Sequence, residues 1–357
     1  MPYRRRRRGE PAAGRRRRCE VSRKEAAFPL REACNGVPQV KRPGVDGGIS
    51  RDRIFHMEIG RVVVEQLGTE MAAPPPSPPR VCVTGGGGFI ASWLVKLLLS
   101  RGYAVHATVR DPSDPKNAHL KQLDKAPENL HLFKADVLDY DTLTPAVEGC
   151  DGVFHLATPV PEDKIADPES EVLNPALEGT LNILKVCSAA KVQKLVVMSS
   201  NAAVDFNPSW PQDRLKDESC WSDKEFCEEN GGGPDVMNNK LWHIADVRDV
   251  ADALLLVYEK NESSGRYICS PNHICTKDLV DLLKKMYPNY SSLDNILDVD
   301  HKASLTCQKL MDLGWKPRKL EETLADSVEC YEKAGLLQDV PGRPFRLPHL
   351  FRLAGDQ

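Results

Sequence analysis

The feature that most constrains this chain is a glycine-rich turn between an apolar run and an amphipathic run. Val81–Val83 are a short apolar run typical of a buried strand, and residues 92–99 have the apolar spacing of a helix. Four glycines, Gly85–Gly88, lie between them. Strand, glycine turn and helix in this order form the phosphate-binding corner of dinucleotide folds, because the N–H groups and dipole of the helix start favour an anion.

Three small residues in the turn have separate geometric roles. Gly85 permits a tight turn, Gly88 lets the backbone approach a pyrophosphate, and Ala91 lets the helix pack closely on the strand. The spacing is Gly-x-x-Gly-x-x-Ala rather than Gly-x-Gly-x-x-Gly. A glycine cluster alone also fits a flexible turn, so it is the flanking strand and helix that favour a nucleotide site.

Strands and helices continue to alternate downstream of the turn. Apolar leucines and a valine recur at helical spacing between Leu173 and Val186. Four further apolar runs predict strands at Ala104–Val109, Leu130–Phe133, Gly152–Ala157 and Leu195–Met198. The alternation predicts an α/β fold with a doubly wound parallel sheet of the Rossmann type.

Polar side chains follow the second and third predicted strands. Arg110 favours NADP(H), because an arginine at this point accommodates a 2′-phosphate, and Lys116 adds positive charge. Asp111 could instead bind the ribose hydroxyl of NAD. Asp136, after the third strand, either contacts the adenine amine or caps the next helix.

Two candidate catalytic residue types lie in later strands. His155 lies within an apolar strand and is interpreted as a core histidine rather than a catalytic one. Ser199 and Ser200 end the fifth strand, where a serine can hydrogen-bond a substrate carbonyl.

Charge is unevenly distributed. Residues 1–70 carry 17 Lys and Arg against 9 Asp and Glu, a net charge of +8. Because the whole chain has a net charge of −3, residues 71–357 have a net charge of −11. The acidic charge of the folded part argues against a nucleic-acid-binding core.

The arginine blocks Arg4–Arg8 and Arg15–Arg18 could be a nuclear signal or a nucleic-acid arm, but we interpret 1–79 as a disordered leader. We expect translation to begin at Met71.

Other sequence features exclude several classes of protein. No apolar run reaches the ~18 residues of a membrane span. The 11 cysteines show neither CxxC pairs nor metal-ligand spacing, which is typical of reduced thiols in a cytoplasmic protein and predicts no metal site.

The chain resembles the extended short-chain dehydrogenase/reductases (the NAD-dependent epimerase/dehydratase family). Within them it is most similar to the plant group of cinnamoyl-CoA reductases and dihydroflavonol reductases. The resemblance covers about Arg80 to Gly335. It is carried by residues 83–94, 110–116, 154–159, 197–200, 217–222 and 241–251.

The resemblance implies NADP(H) binding and hydride transfer to a carbonyl or CoA thioester of a small phenylpropanoid-type substrate such as a hydroxycinnamoyl-CoA. In this family a Ser, a Tyr and a Lys share the chemistry, and Ser200 would be the Ser, with Ser199 the second choice. The implied cofactor-binding residues are Gly85, Gly87, Gly88, Phe89, Ile90, Ala91, Arg110, Lys116, Asp136, Val137, Leu156, Ala157 and Thr158.

The sequence departs from the family at the remaining catalytic residues. None of its eight tyrosines is followed four residues later by lysine, so Tyr-x-x-x-Lys is absent. Phe226–Asn230 run directly into Gly231–Pro234, a stretch that lies well downstream of the Tyr helix in relatives. We therefore expect several dozen residues to be missing near residue 230, through a splice variant or a gene-model error, and reductase activity to be impaired. The alternative is a non-catalytic NADP-binding or partner-binding isoform.

The expected organisation has three parts after the leader. Residues 80–230 form the NADP-binding domain, 231–340 the remnant of a small substrate lobe, and 341–357 a flexible tail. In the lobe we expect an extended piece at Trp242–Ile244, a strand at Arg266–Cys269 and helices at Val250–Glu259, from Thr276 and at Leu320–Ala334. Asp246 or Asp249 would cap the first of these helices, and Thr276 the second. The sequence does not indicate an oligomeric state.

Overall fold

The computed structural model describes residues 60–66, 78–158, 167, 169–229, 241–289, 296, 304–335 and 337. The predicted tail at 341–357 and the junction at 230–240 lie outside these residues, as do residues 1–59.

Nine strands are present in the described part of the chain. They are β1 Gly60–Gln66, β2 Arg80–Thr84, β3 Ala104–Val109, β4 Leu130–Lys134, β5 Gly152–His155, β6 Lys194–Ser200, β7 Leu241–Ile244, β8 Gly265–Ile268 and β9 Asn272–Cys275. Seven of them form one sheet in the order β4-β3-β2-β5-β6-β1-β8, and β7 pairs with β9 separately.

Helices flank these strands. They are α1 Phe89–Ser100, α2 Ala126–Asn129, α3 Tyr140–Val147, α4 Asn174–Ala189, α5 Ala202–Asp205, α6 Lys224–Glu229, α7 Val247–Glu259, α8 Thr276–Met286, α9 Gln308–Asp312 and α10 Leu320–Lys333. A 3₁₀ segment spans Pro115–Gln122, and a π-helical turn spans Glu169–Leu173.

The predicted doubly wound parallel sheet is confirmed. Strands β4, β3, β2, β5 and β6 are parallel, and each lies at or within two residues of its predicted bounds. The strand order reverses between β2 and β5, which is the switch point where ligands bind in open α/β sheets.

Two apolar layers cover the sheet. On one face, α1 and α7 bury Leu94, Leu98 and Leu254 against strand residues such as Phe154. A second cluster joins α3 and α4 to β5 and β6 through Leu143, Ile183 and Leu195, among others. Burying each large aliphatic side chain contributes about 1.5–3 kcal/mol, so the two clusters fix the helices against the strands of the parallel sheet.

The structure corrects the prediction of a leader that is disordered throughout residues 1–79. Gly60–Gln66 form β1, which pairs antiparallel with both β6 and β8. The run Val62–Val64 has high strand propensity, and the unpaired edges of two strands supply its hydrogen-bonding partners. Net charge gives no indication of this short β-branched run.

Helix caps confirm one expectation and correct two. Asp246 caps α7, since its carboxylate accepts a hydrogen bond from the Arg248 N–H at 2.9 Å. Cys275 rather than Thr276 is the N-cap of α8. Likewise Asp139, not Asp136, caps α3.

Candidate functional site

The glycine turn lies at the carboxyl end of β2 and is fixed by the neighbouring strand. The N–H of Gly86 donates to the carbonyl of Thr108 at 2.8 Å, and the N–H of Gly85 to the Thr108 hydroxyl at 3.2 Å. Gly85 has a φ of +68°, and a Cβ there would lie 3.0 Å from the Cα of Ala157. The turn therefore requires glycine at position 85 for both its conformation and its closeness to the end of β5.

The start of α1 is suited to an anion. Gly88, in extended conformation, precedes Phe89, Ile90 and Ala91, and the helix has neither a side-chain cap nor an acidic residue in its first turn. Its first N–H groups and positive dipole end face the switch point of the sheet. Ala91 is buried against the core, as its predicted packing role requires. The arrangement fits the pyrophosphate of a dinucleotide.

A side chain that the sequence analysis overlooked supports the turn. Asn117 is buried, and its amide donates to the carbonyl of Asp111 at 2.8 Å. A Cβ on Gly87 would lie 2.1 Å from its Oδ1. Asn117 thus holds the segment after β3 closely against the glycine turn. In the sequence, the only indication of this role is that Asn117 directly follows Lys116, a predicted cofactor-binding residue.

The residues after β3 bear on the choice between the two cofactors. Arg110 is exposed directly after the strand. Asp111 accepts hydrogen bonds from the N–H and hydroxyl of Ser113, which lower its pKa. Both bonds fall on Oδ1, so they leave open the alternative that Asp111 binds a ribose hydroxyl. Lys116 forms an exposed ion pair with Asp114 at 3.1 Å.

Thr84 and His155 organise the backbone at the end of β5. The Thr84 hydroxyl accepts from the N–H groups of Leu156 and Ala157, both at 3.1 Å. Its own proton is then directed to His155 Nδ1, 2.8 Å away, so the ring carries its proton on Nε2 and donates to Thr180 at 3.3 Å. Burial lowers the pKa of His155 to about 4. The prediction of a core histidine is confirmed.

The remaining predicted cofactor residues lie near the ends of β4 and β5. The Asp136 carboxylate accepts from the N–H of Leu138 at 2.9 Å, and the carbonyl of Val137 accepts from Asn182 at 3.0 Å. Thr158 follows Ala157 at the end of the described segment. All the predicted cofactor residues thus follow the carboxyl ends of β2 to β5.

The two candidate serines differ in their surroundings. The Ser200 hydroxyl is half-buried, accepts from the N–H of Ala202 at 3.1 Å and donates to the Asn201 side chain at 3.3 Å. The Ser199 hydroxyl is buried, with no partner within the described ranges. Tyr258 packs against Gly152 and Tyr103, near the amino ends of β5 and β6, whereas Ser200 lies at the carboxyl end of β6.

A buried charged cluster lies just beyond Ser200, and the sequence analysis did not find it. Lys216, 2% exposed, donates to Asp205 Oδ1 at 3.1 Å, and His243 Nε2 lies 3.6 Å from Asp205 Oδ2. Burial opposes ionisation of Asp205, but hydrogen bonds and charge from His243 and Lys216 lower its pKa to about 2. His273 packs edge-on against His243, and burial lowers the pKa of His273 to about 4.

The described residues contain neither a cluster suited to a metal ion nor a helix suited to a membrane span. No group of three or more His, Cys, Asp or Glu side chains there is arranged to hold a metal ion. Within the same ranges, no helix has the length and apolar composition needed to cross a membrane.

The chain belongs to the NAD dependent epimerase/dehydratase family, whose match spans residues 81–221. It is 37% identical to cinnamoyl-CoA reductase 1 of Petunia hybrida, over 72% of this chain and 93% of that protein. It is 35% identical to cinnamoyl-CoA reductase 1 of Arabidopsis thaliana, over 73% of this chain and 92% of that protein. These relatives are reductases, and the family resemblance seen in the sequence is confirmed.

A solved structure supports the same assignment. The fold matches that of vestitone reductase from alfalfa with a TM-score of 0.59 and 29% identity. The match covers 72% of this chain and 99% of the alfalfa enzyme. The chain is thus a member of a reductase family that acts on small molecules.

Proposed function

We propose that the chain binds NADP(H) at the β2–α1 corner and is a cinnamoyl-CoA reductase-like protein whose catalytic group is incomplete. The observation that carries this proposal is a glycine turn followed by an uncapped helix start at the end of β2, in a sequence that lacks Tyr-x-x-x-Lys. The bound cofactor would supply the hydride, and the substrate would be a carbonyl compound of the hydroxycinnamoyl-CoA type.

Each predicted residue has a definite task in this proposal. The N–H groups of residues 89–91 hold the pyrophosphate, and Arg110 and Lys116 the 2′-phosphate. The segment 156–158 lies beside the glycine turn and borders the path of the cofactor. Ser200 donates a hydrogen bond to the substrate carbonyl oxygen, where negative charge develops. The family's proton-donating tyrosine and its lysine have no counterpart at Tyr-x-x-x-Lys spacing.

The comparisons also support a missing block. The alignment with the Petunia enzyme runs over 315 residues, whereas 72% of this 357-residue chain is about 257 residues. Roughly 58 aligned positions therefore lack a counterpart here. The glycine-rich junction after residue 230 is where the sequence analysis expects this gap.

The kinetic consequence of the missing residues is large. Loss of a general acid costs roughly 10²–10⁴ in rate, and loss of one oxyanion donor roughly 10²–10³. If the two effects were independent, turnover would fall by about 10⁴–10⁷. Cofactor affinity should be much less affected, because its proposed contacts lie at β2 to β5.

Binding and turnover should be measured on the same preparation. NADPH binding is followed by the change in cofactor fluorescence, with NADH as the comparison. Feruloyl-CoA reduction is followed by NADPH consumption, with Petunia cinnamoyl-CoA reductase 1 as the positive control. We expect saturable NADPH binding and no measurable turnover. Turnover within about a hundredfold of the Petunia enzyme would refute the impaired-catalysis part, and absence of NADPH binding by folded protein would refute the cofactor part.

A further inference from the structure

Strand β1 lies outside the family match, yet it joins two parts of the sheet. The match begins at Val81, whereas β1 spans Gly60–Gln66. In the described sheet β6 and β8 are not paired with each other, and both pair with β1. The small C-terminal strand β8 therefore joins the main sheet through a segment that precedes the residues matched by the family model.

The register shows how completely β1 covers β6. Gly60 lies opposite Ser200 and Gln66 lies opposite Lys194, so the pairing spans the whole length of β6. On the other side, Arg61–Val64 pair with the four residues of β8. Without β1, β6 would present a row of unpaired backbone groups ending at the candidate catalytic serine.

The chain can easily supply this strand to its own sheet. Residues 67–79 separate β1 from β2, and five of the last nine are prolines, which favour extended conformations. In the sheet order β1 is three strand spacings from β2, about 14 Å. Thirteen extended residues reach about 43 Å, so the connection needs no rearrangement of the sheet.

We propose that the gap between β6 and β8 is a strand-acceptor site, that its ligand is the Gly60–Gln66 segment of the same chain, and that occupation of the site fixes the Ser200 end of β6. Backbone hydrogen bonds on both sides give the affinity, as in other cases of strand addition. The Val62–Val64 run suits an extended central strand. The proposal does not rest on NADP(H) binding.

The decisive variant is Val63→Pro in the full chain, with Val63→Thr as the matched control. Val63 pairs with Val197 on one side and Arg266 on the other, and proline there removes the N–H of a central strand. Threonine retains the N–H and the β-branched shape. We expect V63P to lower the Tm by about 10 °C and to speed hydrogen exchange in β6 and β8, and V63T to stay close to the unsubstituted chain.

Complementation tests the acceptor site directly. A synthetic peptide of residues 58–68 should bind V63P, restore its Tm and slow exchange in β6, whereas the same peptide carrying V63P should not. Equal Tm values for V63P and V63T, or no rescue by the peptide, would overturn the proposal. If V63P does not fold, hydrogen exchange of the unsubstituted chain provides the answer. Amides of 61–66 exchanging as slowly as those of β6 would support the proposal, and exchange at the rate of an unstructured peptide would overturn it.

Discussion

Acidification should lower the free energy of unfolding of this protein through protonation of His155, and a variant without this histidine isolates that contribution. The ring is 2% exposed and lies between the hydroxyls of Thr84 and Thr180. Since Thr84 directs its only proton to Nδ1, a second proton on the ring would meet a donor rather than an acceptor. Protonation would therefore also disturb the hydrogen bonds that hold the backbone at Leu156 and Ala157.

The magnitude follows from the pKa difference. Burial lowers the pKa of His155 from 6.5 to about 4 in the folded protein. Between these values the unfolded chain binds a proton that the folded chain does not, so stability falls as the pH is lowered from 6.5 towards 4. The full effect is about 3 kcal/mol, and about 2.5 kcal/mol of it is expressed between pH 7.5 and pH 4.5.

Urea unfolding at pH 7.5 and pH 4.5 tests this value. The variant His155→Gln keeps a polar side chain that does not titrate, so its loss of stability between the two pH values should be about 2.5 kcal/mol smaller than that of the parent. Acid destabilisation of H155Q equal to that of the parent would refute the reasoning. The pKa of His273 is also lowered to about 4, so His273 contributes to the acid destabilisation that H155Q still shows.

Three further substitutions test the site and its support. Gly85→Ala should abolish measurable NADPH binding, because position 85 has a positive φ and its Cβ would press on the backbone after β5. Gly102→Ala is the control: its φ is +86°, but no atom outside the adjoining residues lies within 4 Å of the added Cβ. It should cost about 1–2 kcal/mol of stability and leave NADPH binding intact. Arg110→Ala should weaken NADPH binding roughly 10- to 100-fold with little effect on NADH, and equal weakening of both in a titration would contradict the assigned role. Asp205→Asn leaves Lys216 buried without its counter-charge and should lower the free energy of unfolding by about 3–5 kcal/mol, and a loss below 1 kcal/mol in urea would exclude a buried ion pair.

The predicted start at Met71 and the proposed role of β1 exclude each other, so one experiment decides between them. Translation from Met71 would produce a chain without Gly60–Gln66. Intact mass and peptide mapping of the native protein distinguish the two cases. Native peptides from residues 1–70 would contradict the predicted start, and their absence from an otherwise complete map would mean that the strand-acceptor site lacks its proposed ligand in that protein.

The sequence alone determined the strand, glycine turn and helix at Val81–Ala91 and the parallel sheet. Val81–Ala91 encode a strand, a turn and a helix through local apolar spacing and glycine content, and these properties do not depend on the rest of the chain. The absence of Tyr-x-x-x-Lys is likewise a property of the sequence. Ser200 could be proposed because a strand end defines its position.

The tertiary structure decided which distant segments meet. Asp205 and Lys216 look like ordinary surface residues in the sequence, and only folding buries them together. Asn117 gains its role from its fit against Gly87. Strand β1 is recruited by the free edges of β6 and β8, which are more than a hundred residues away. Local periodicity cannot indicate such pairings, because they depend on which backbone edges the completed fold leaves open.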